Sequence, residues 1–399
     1  MRLMQFFVDC PWPPISGADI RNTLLSCHEG ISAYCGVGLT QPRQATSKIS
    51  VDYHALPCFS GTNPWRNYRS ELPICLRFPQ RAAYEVDQLL DEFQPTVVVL
   101  EGVAWGDILR QLKDRRVPTV LDMHNVESRI YQERIKSRTW FKRLLANSLG
   151  RRCLAAVKEA DRELSRMADQ TWVCSSMDES ELRALGGASH HLIPNPIPDE
   201  KLLATSIYED RYRNPVPLFI GHLSYFPNVA AVAEIGHELV PALAQKEVKV
   251  RPIVAGRAPS RTIRNLASRG LIQLEADPVS CAKLLTQSGY SLLPIRHGSG
   301  TRIKVLEALA AGVVVIATYK AVEGLGLIDG IHYCHAETIT DMCEILCELV
   351  ASPNRALKLA ERGRLFVVEH HSHAALQQKI ENALQCFRTA HQSCVGQAQ

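Results

Sequence analysis

The stretch from Pro294 to Leu325, PIRHGSGTRIKVLEALAAGVVVIATYKAVEGL, allows few folds. The apolar run Tyr290–Pro294 ends in a loop, Arg296–Thr301, that holds Gly298 and Gly300. Helical spacing follows from about Thr301 to Ala311, and Gly312 stands where a left-handed helix end favours glycine. Val313–Ala317 is a β-branched run of the kind buried on both faces of a sheet. Strand, glycine loop, helix and strand in this order form a βαβ unit of a parallel sheet.

Such a unit suits an anion. Glycines let a backbone approach a bulky group, and the first helical N–H groups are unpaired at the positive end of the helix dipole. Arg302 and Lys304 add full charge at that end. Glu307 shares a helix face with Ile303, where its carboxylate could accept two hydrogen bonds from a ribose diol. A phosphate beside a sugar diol describes a nucleotide. The plainer alternative is a helix capped by Ser299–Thr301, with Glu307 paired to Lys304 three residues back.

The segment GSGTRIKVLEALAAGVVVIAT, followed by EGL, resembles the signature of retaining glycosyltransferases of the GT-B fold, glycosyltransferase family 4 (group 1) type. The resemblance implies that Ser299, Gly300 and Thr301 hold the donor diphosphate, that Glu307 holds the ribose and that Glu323 lies in a turn beside the donor. It departs at Ser299, where the family often has a second glutamate eight residues before the first. The implied fold is α/β: two Rossmann-like doubly wound domains facing a cleft, with the C-terminal helix crossing back to the first domain.

The rest of the chain fits two such halves. At 399 residues it exceeds what one core normally serves. A content of 46% hydrophobic and 22% charged residues is that of a soluble globular protein, and a net charge of +4 does not by itself call for nucleic acid. The 13 cysteines are scattered without a C-x-x-C pair, so a zinc ribbon or redox motif is not indicated and a reducing, cytoplasmic setting is expected. No run of 18 apolar residues offers a membrane span, and Met1–Val8 is too short for a signal-peptide core.

In the first half, strands are expected at Met4–Val8, Val37–Leu39, Ile49–Leu56, Thr96–Glu101, Thr119–Asp122 and Thr171–Cys174, with helices at Asp19–Ser26 and Arg77–Phe93. Ser176–Glu179 reads as a capping box. Gly17 lies in the first strand-to-helix loop. It is either an ordinary turn or, as the resemblance implies, a close approach to donor or acceptor. His124, in DMHNVE, follows a strand at its carboxyl end, where ligands of open parallel sheets bind. The resemblance implies that His124 contacts the donor sugar. Arg134–Lys158 carries eight Lys or Arg and no acid, with apolar residues between them. It reads as an amphipathic helix packed on the sheet or, alternatively, as a peripheral contact with an anionic membrane on its inner face.

Pro194–Pro198 holds three prolines in five residues and reads as the interdomain linker. The resemblance places Asn195 at the cleft. The expected division is residues 1–194 on the acceptor side, 195–371 on the donor side and 372–399 as a tail returning to the first domain. The second half opens with a strand, Pro217–Ile220, then Gly221–Asn228 and a helix from Val229 to Leu243. Gly221, His222 and Asn228 thereby match the family's first donor-side loop. His222 and Asn228 stand where the family usually has Arg or Lys and Lys.

No D-x-D triplet occurs, so no metal and no cofactor is expected, and cationic groups must neutralise the leaving diphosphate. The expected activity is metal-independent, retaining transfer of a sugar, of the hexosyltransferase class, from a nucleoside diphosphate sugar to a glycan, lipid-linked or other acceptor, in cell-surface polysaccharide or glycoconjugate synthesis. His124, Arg302 and Lys304 are the candidate catalytic residues; no nucleic-acid partner is expected. Two alternatives stand beside it. One is a sugar-nucleotide epimerase; the other is a weakly active sugar-nucleotide-binding partner, suggested by the missing basic pair and by Ser299.

Overall fold

The computed structural model describes residues 1–12, 14, 17–42, 51–56, 80–136, 147–198, 207–248, 250–298 and 303–396. The chain divides into two compact units, Met1–Pro196 with Leu376–Gln399, and Ile197–Ala375. Each is an open, fully parallel sheet among helices.

The first sheet contains β1 (Arg2–Phe7), β2 (Ala33–Gly38), β3 (Asp52–Ala55), β4 (Val97–Glu101), β5 (Thr119–Met123), β6 (Gln170–Val173) and β7 (His191–Leu192). Their order is β3-β2-β1-β4-β5-β6-β7, so the direction of winding reverses between β1 and β4. The strands are near-continuous apolar runs because both faces are covered. Met4, Phe6, Val98 and Leu100 pack with the helices Gln80–Phe93, Gly106–Asp114 and Asn147–Met167. Leu3, Val97, Val99, Val120 and Trp172 point the other way and meet Leu376, Ile380, Ala383, Leu384 and Phe387. Those five recur at helical spacing on the last helix, His373–Gly396, so the C-terminal helix closes one face of the first sheet. Burying each large side chain in this way contributes about 1.5–3 kcal/mol.

The second sheet contains β8 (Pro217–Ile220), β9 (Ile253–Gly256), β10 (Gln273–Ala276), β11 (Tyr290–Leu293), β12 (Val314–Ala317) and β13 (Cys334–His335). The order β10-β9-β8-β11-β12-β13 reverses between β8 and β11. The βαβ unit expected around residue 300 is β11, the helix Ile303–Ala310 and β12. Gly312 ends that helix at φ 67°, and bonds from Gly312 N–H to Leu309 O and from Val313 N–H to Ala308 O close it.

Local expectations shift by small steps. The capping serine is Ser175, which accepts from the Asp178 N–H, and the helix runs Ser176–Ala184. The expected helix Val229–Leu243 starts earlier, at Phe226, because Pro227 suits the first turn; it widens to a π-turn at Ile235–Leu239 before the segment Val240–Gln245. Gly17 opens the helix Gly17–Thr23 instead of lying in a loop ahead of it. The proline segment 194–198 is mostly buried, and Asn195 falls in the first unit, two residues before the division.

Candidate functional site

The crest of the second sheet, where its winding reverses, is where a crevice opens in doubly wound folds. There β8 runs into Gly221 and β11 into the loop before the helix Ile303–Ala310. Gly221 N–H donates to Ala255 O at 3.1 Å, and Leu223 N–H to Arg257 O at 2.8 Å, which ties the loop to the end of β9. Gly256, at φ 151°, leaves room for this: a Cβ there would sit 1.7 Å from the Gly221 carbonyl.

The same crest fixes a cation. Lys304 Nζ donates to Asn228 Oδ1 at 2.6 Å and lies 4.8 Å from the centre of the Phe219 ring. Asn228, almost fully buried, donates from Nδ2 to the His222 carbonyl at 2.9 Å. A Cβ on Gly221 would lie 2.9 Å from Lys304 Nζ, so the glycine makes space for the ammonium. His222 Nδ1 is 3.1 Å from Ser224 Oγ. Gly221, His222, Asn228 and Lys304 thus form one cluster from two separate segments. Asn228, standing at a position where a lysine was expected, holds a lysine from the next segment.

Glu307 is half-buried one turn beyond Lys304. Gly298 takes φ 97°, as its place in the glycine loop requires. Glu323 pairs with Lys320 Nζ at 2.7 Å. Ser299, Gly300, Thr301 and Arg302 lie outside the described residues.

In the first unit, His124 belongs to a buried network that the sequence alone did not reveal; Gly17 enters only as the start of the helix that carries Arg21, and Asn195 only through Cys174. Arg21, on the helix that Gly17 opens, grips Asp122 through Nε and Nη2 at 2.5–3.2 Å and donates from Nη1 to Ile193 O at 2.5 Å and Pro194 O at 3.2 Å. His124 has Glu101 Oε1 3.6 Å from Nδ1 and Asp122 Oδ2 3.4 Å from Nε2. Glu101 Oε2 accepts from the Val8 N–H at 3.0 Å. Asn195 Oδ1 lies 3.6 Å from Cys174 Sγ. Burial pushes the Glu101 carboxyl up, against His124, the Val8 N–H and Asn22, which pull it down. Burial would also raise Asp122, but Arg21 and then His124 outweigh it and hold that carboxyl well below the usual range. Spacing could not have revealed this set, since Arg21 and Asp122 are 101 residues apart; the one local signal was an acid and a histidine at the end of β5.

Among the described residues, one group offers three ligand atoms to a cation: Cys35, Asp52 and His54, within 4.8 Å of one another on β2 and β3. Burial, then Asp52, pushes the Cys35 thiol up to about 12, and His54 Nε2 already pairs with Asp52 Oδ1 at 3.1 Å. No helix among the described residues is long and apolar enough to cross a membrane.

Residues 214–352, which contain the Lys304 cluster, match the family described as glycosyl transferases, group 1. The second unit matches a glycosyltransferase domain. Three solved structures resemble the whole chain. The sucrose-phosphate synthase of Thermosynechococcus elongatus has a TM-score of 0.71 at 15% identity, over 98% of this chain and 99% of that one. HepE of Anabaena in complex with UDP has a TM-score of 0.68 at 12% identity, over 97% and 100%. A glycosyltransferase from Rickettsia africae has a TM-score of 0.63 at 13% identity, over 97% and 98%. At these identities the likeness establishes the fold, two parallel α/β units of GT-B type. None of the curated proteins compared with the chain matches it in sequence.

Proposed function

We propose that this protein is a glycosyltransferase that moves a sugar from a nucleoside diphosphate sugar to a glycan, lipid-linked or other acceptor, with retention at the anomeric carbon and without a divalent metal. The observation that carries this is the fixed ammonium of Lys304, set between Asn228 and Phe219 at the head of a helix within the matched domain. A leaving diphosphate needs its growing charge stabilised, and a preorganised cation beside a helix N-terminus does so without reorganisation.

In this proposal Lys304, with Arg302, faces the diphosphate. The backbone of Ser299–Thr301 and Gly221 approaches it, and Glu307 takes the ribose. His222 and Glu323 complete the donor side. Asn228 acts by holding Lys304 rather than by touching the donor. His124, Gly17 and Asn195 serve the reacting sugar or the acceptor. Since the HepE structures contain UDP, UDP and UDP-glucose, uridine is the first base to test. The absence of a D-x-D triplet supports the metal-free assignment. One second reading has support: His222 and Asn228 occupy positions where a basic pair was expected, which favours a sugar-nucleotide-binding partner with weak turnover.

The test is thermal stabilisation by UDP, GDP, ADP and their sugar conjugates, with and without EDTA, followed by turnover of the conjugate that binds. A shift with one nucleotide that EDTA leaves unchanged, and release of the diphosphate on adding acceptors, supports the proposal. Binding without turnover favours the second reading. No shift with any nucleotide overturns both.

A further inference from the structure

The network in the first unit goes beyond a structural ion pair. Arg21 and Asp122, both buried, are satisfied by one another and by the carbonyls of Ile193 and Pro194, without His124. Yet the His124 ring, only 14% exposed, is held with a carboxylate at each nitrogen. Its Nε2 is buried and makes no well-formed hydrogen bond. The whole set sits at the carboxyl ends of β1, β4 and β5, where the winding of the first sheet reverses, the position at which ligands bind in this fold class.

We infer that Glu101 and Asp122 act on the reaction through His124: they are positioning residues, one carboxylate to each ring nitrogen, with Arg21 locking Asp122 in place. This rests on the proposed glycosyl transfer and on His124 facing the reacting sugar or acceptor. The two carboxylates are not equivalent. Asp122 is gripped by Arg21 and stays ionised. Glu101 faces His124 and Asp122 on one side, and the Val8 N–H and the Asn22 side chain on the other. Cys174 and Asp178 lie on the Arg21 side of the network. Burial raises the Glu101 carboxyl while Arg21 holds Asp122 down, so Glu101 is the first of the two carboxylates to gain a proton as pH falls. A pair of carboxylates pushed in opposite directions around one imidazole is how folds set acid–base roles. Protonated Glu101 no longer attracts the His124 ring, and the ring loses one of its two anchors.

The experiment compares Glu101→Gln, His124→Ala and the double variant, with Asp122→Asn as a second arm should Glu101→Gln fold poorly. Glu101→Gln should lower transfer roughly tenfold, the size of one charge-assisted contact. It should remove the acid limb of the pH profile, and it should add no further loss in the His124→Ala background. If Glu101→Gln costs as much without His124 as with it, the inference is wrong. A readout independent of turnover is the carbon-13 titration of the glutamate carboxyls. One signal should titrate above the ordinary glutamate value of about 4.3, vanish in Glu101→Gln and move further up in His124→Ala. A signal that ignores His124→Ala would overturn the inference even if the chain transfers sugar. Nucleotide binding, tested separately, reports on the proposed function and not on this network.

Discussion

Replacing Lys304 with methionine removes the ammonium that lies 4.8 Å from the centre of the Phe219 ring and keeps an unbranched side chain of similar length. The fold should tolerate it, since the side chain is only half-buried. A charge-assisted phosphate contact is worth about 1.5–3 kcal/mol. At about 1.4 kcal/mol per factor of ten, UDP should bind roughly 10- to 150-fold more weakly. Calorimetric titration of wild type and Lys304→Met with UDP gives this ratio. Uridine, which lacks phosphate, is the control and should bind both alike. Asn228→Asp separates charge from shape. It keeps the contact to Lys304 Nζ but places a carboxylate against it, and it too should weaken UDP while sparing uridine. If Lys304→Met binds UDP within threefold of wild type, Lys304 does not face the diphosphate and the site is misplaced.

Other consequences are as direct. Gly256→Ala would drive a Cβ into the Gly221 carbonyl, so it should cost at least about 1–3 kcal/mol in thermal unfolding and displace the nucleotide-binding loop, measurable as lost UDP binding. Leu384→Ala empties a fully buried position between the last helix and the first sheet and should destabilise by about 2–5 kcal/mol in urea unfolding. Burial raises the Asp161 carboxyl to about 6, against the Ser128 N–H, which donates to it at 2.8 Å, and the Glu127 N–H. Between about pH 4 and 6 the folded chain therefore binds a proton that the unfolded chain has released, so stability falls as pH rises through that window, by about 3 kcal/mol at most. Glu101 acts in the same direction. Asp161→Asn should flatten that part of the stability profile, and an unchanged slope would refute the assignment.

What could be read from sequence was what the backbone period encodes locally. The apolar run Val313–Ala317 and the glycine after a helix specify β12 and the turn before it, because burial and a positive φ leave few alternatives. Lys304 was identifiable as a cation beside a helix start. Its partner was not. Asn228 looked like a lost lysine, and only the pairing of β8 with β11 brings its side chain to Lys304. His124 was visible at a strand end, but Glu101 and Arg21 come to it from β4 and from the first helix, through a strand order that no local pattern dictates. The capping serine moved from Ser176 to Ser175 because both are serines, and only backbone geometry decides which one accepts.

The closing of the first sheet by the helix His373–Gly396 also sets a timetable for synthesis. When Pro196 leaves the ribosome, seven strands are present, but one face of their sheet is covered only by Leu24 and Leu25 and lacks the last helix. About 180 residues, Ile197–Ala375, must be made before Leu376 emerges, which at about 5–20 residues per second takes roughly 10–40 s. During that interval the part of this face that will meet Leu376, Ile380, Ala383, Leu384 and Phe387 is open to water or a chaperone. The second unit, continuous in sequence, can complete itself first, so the half of the molecule that is translated first is the half that finishes last.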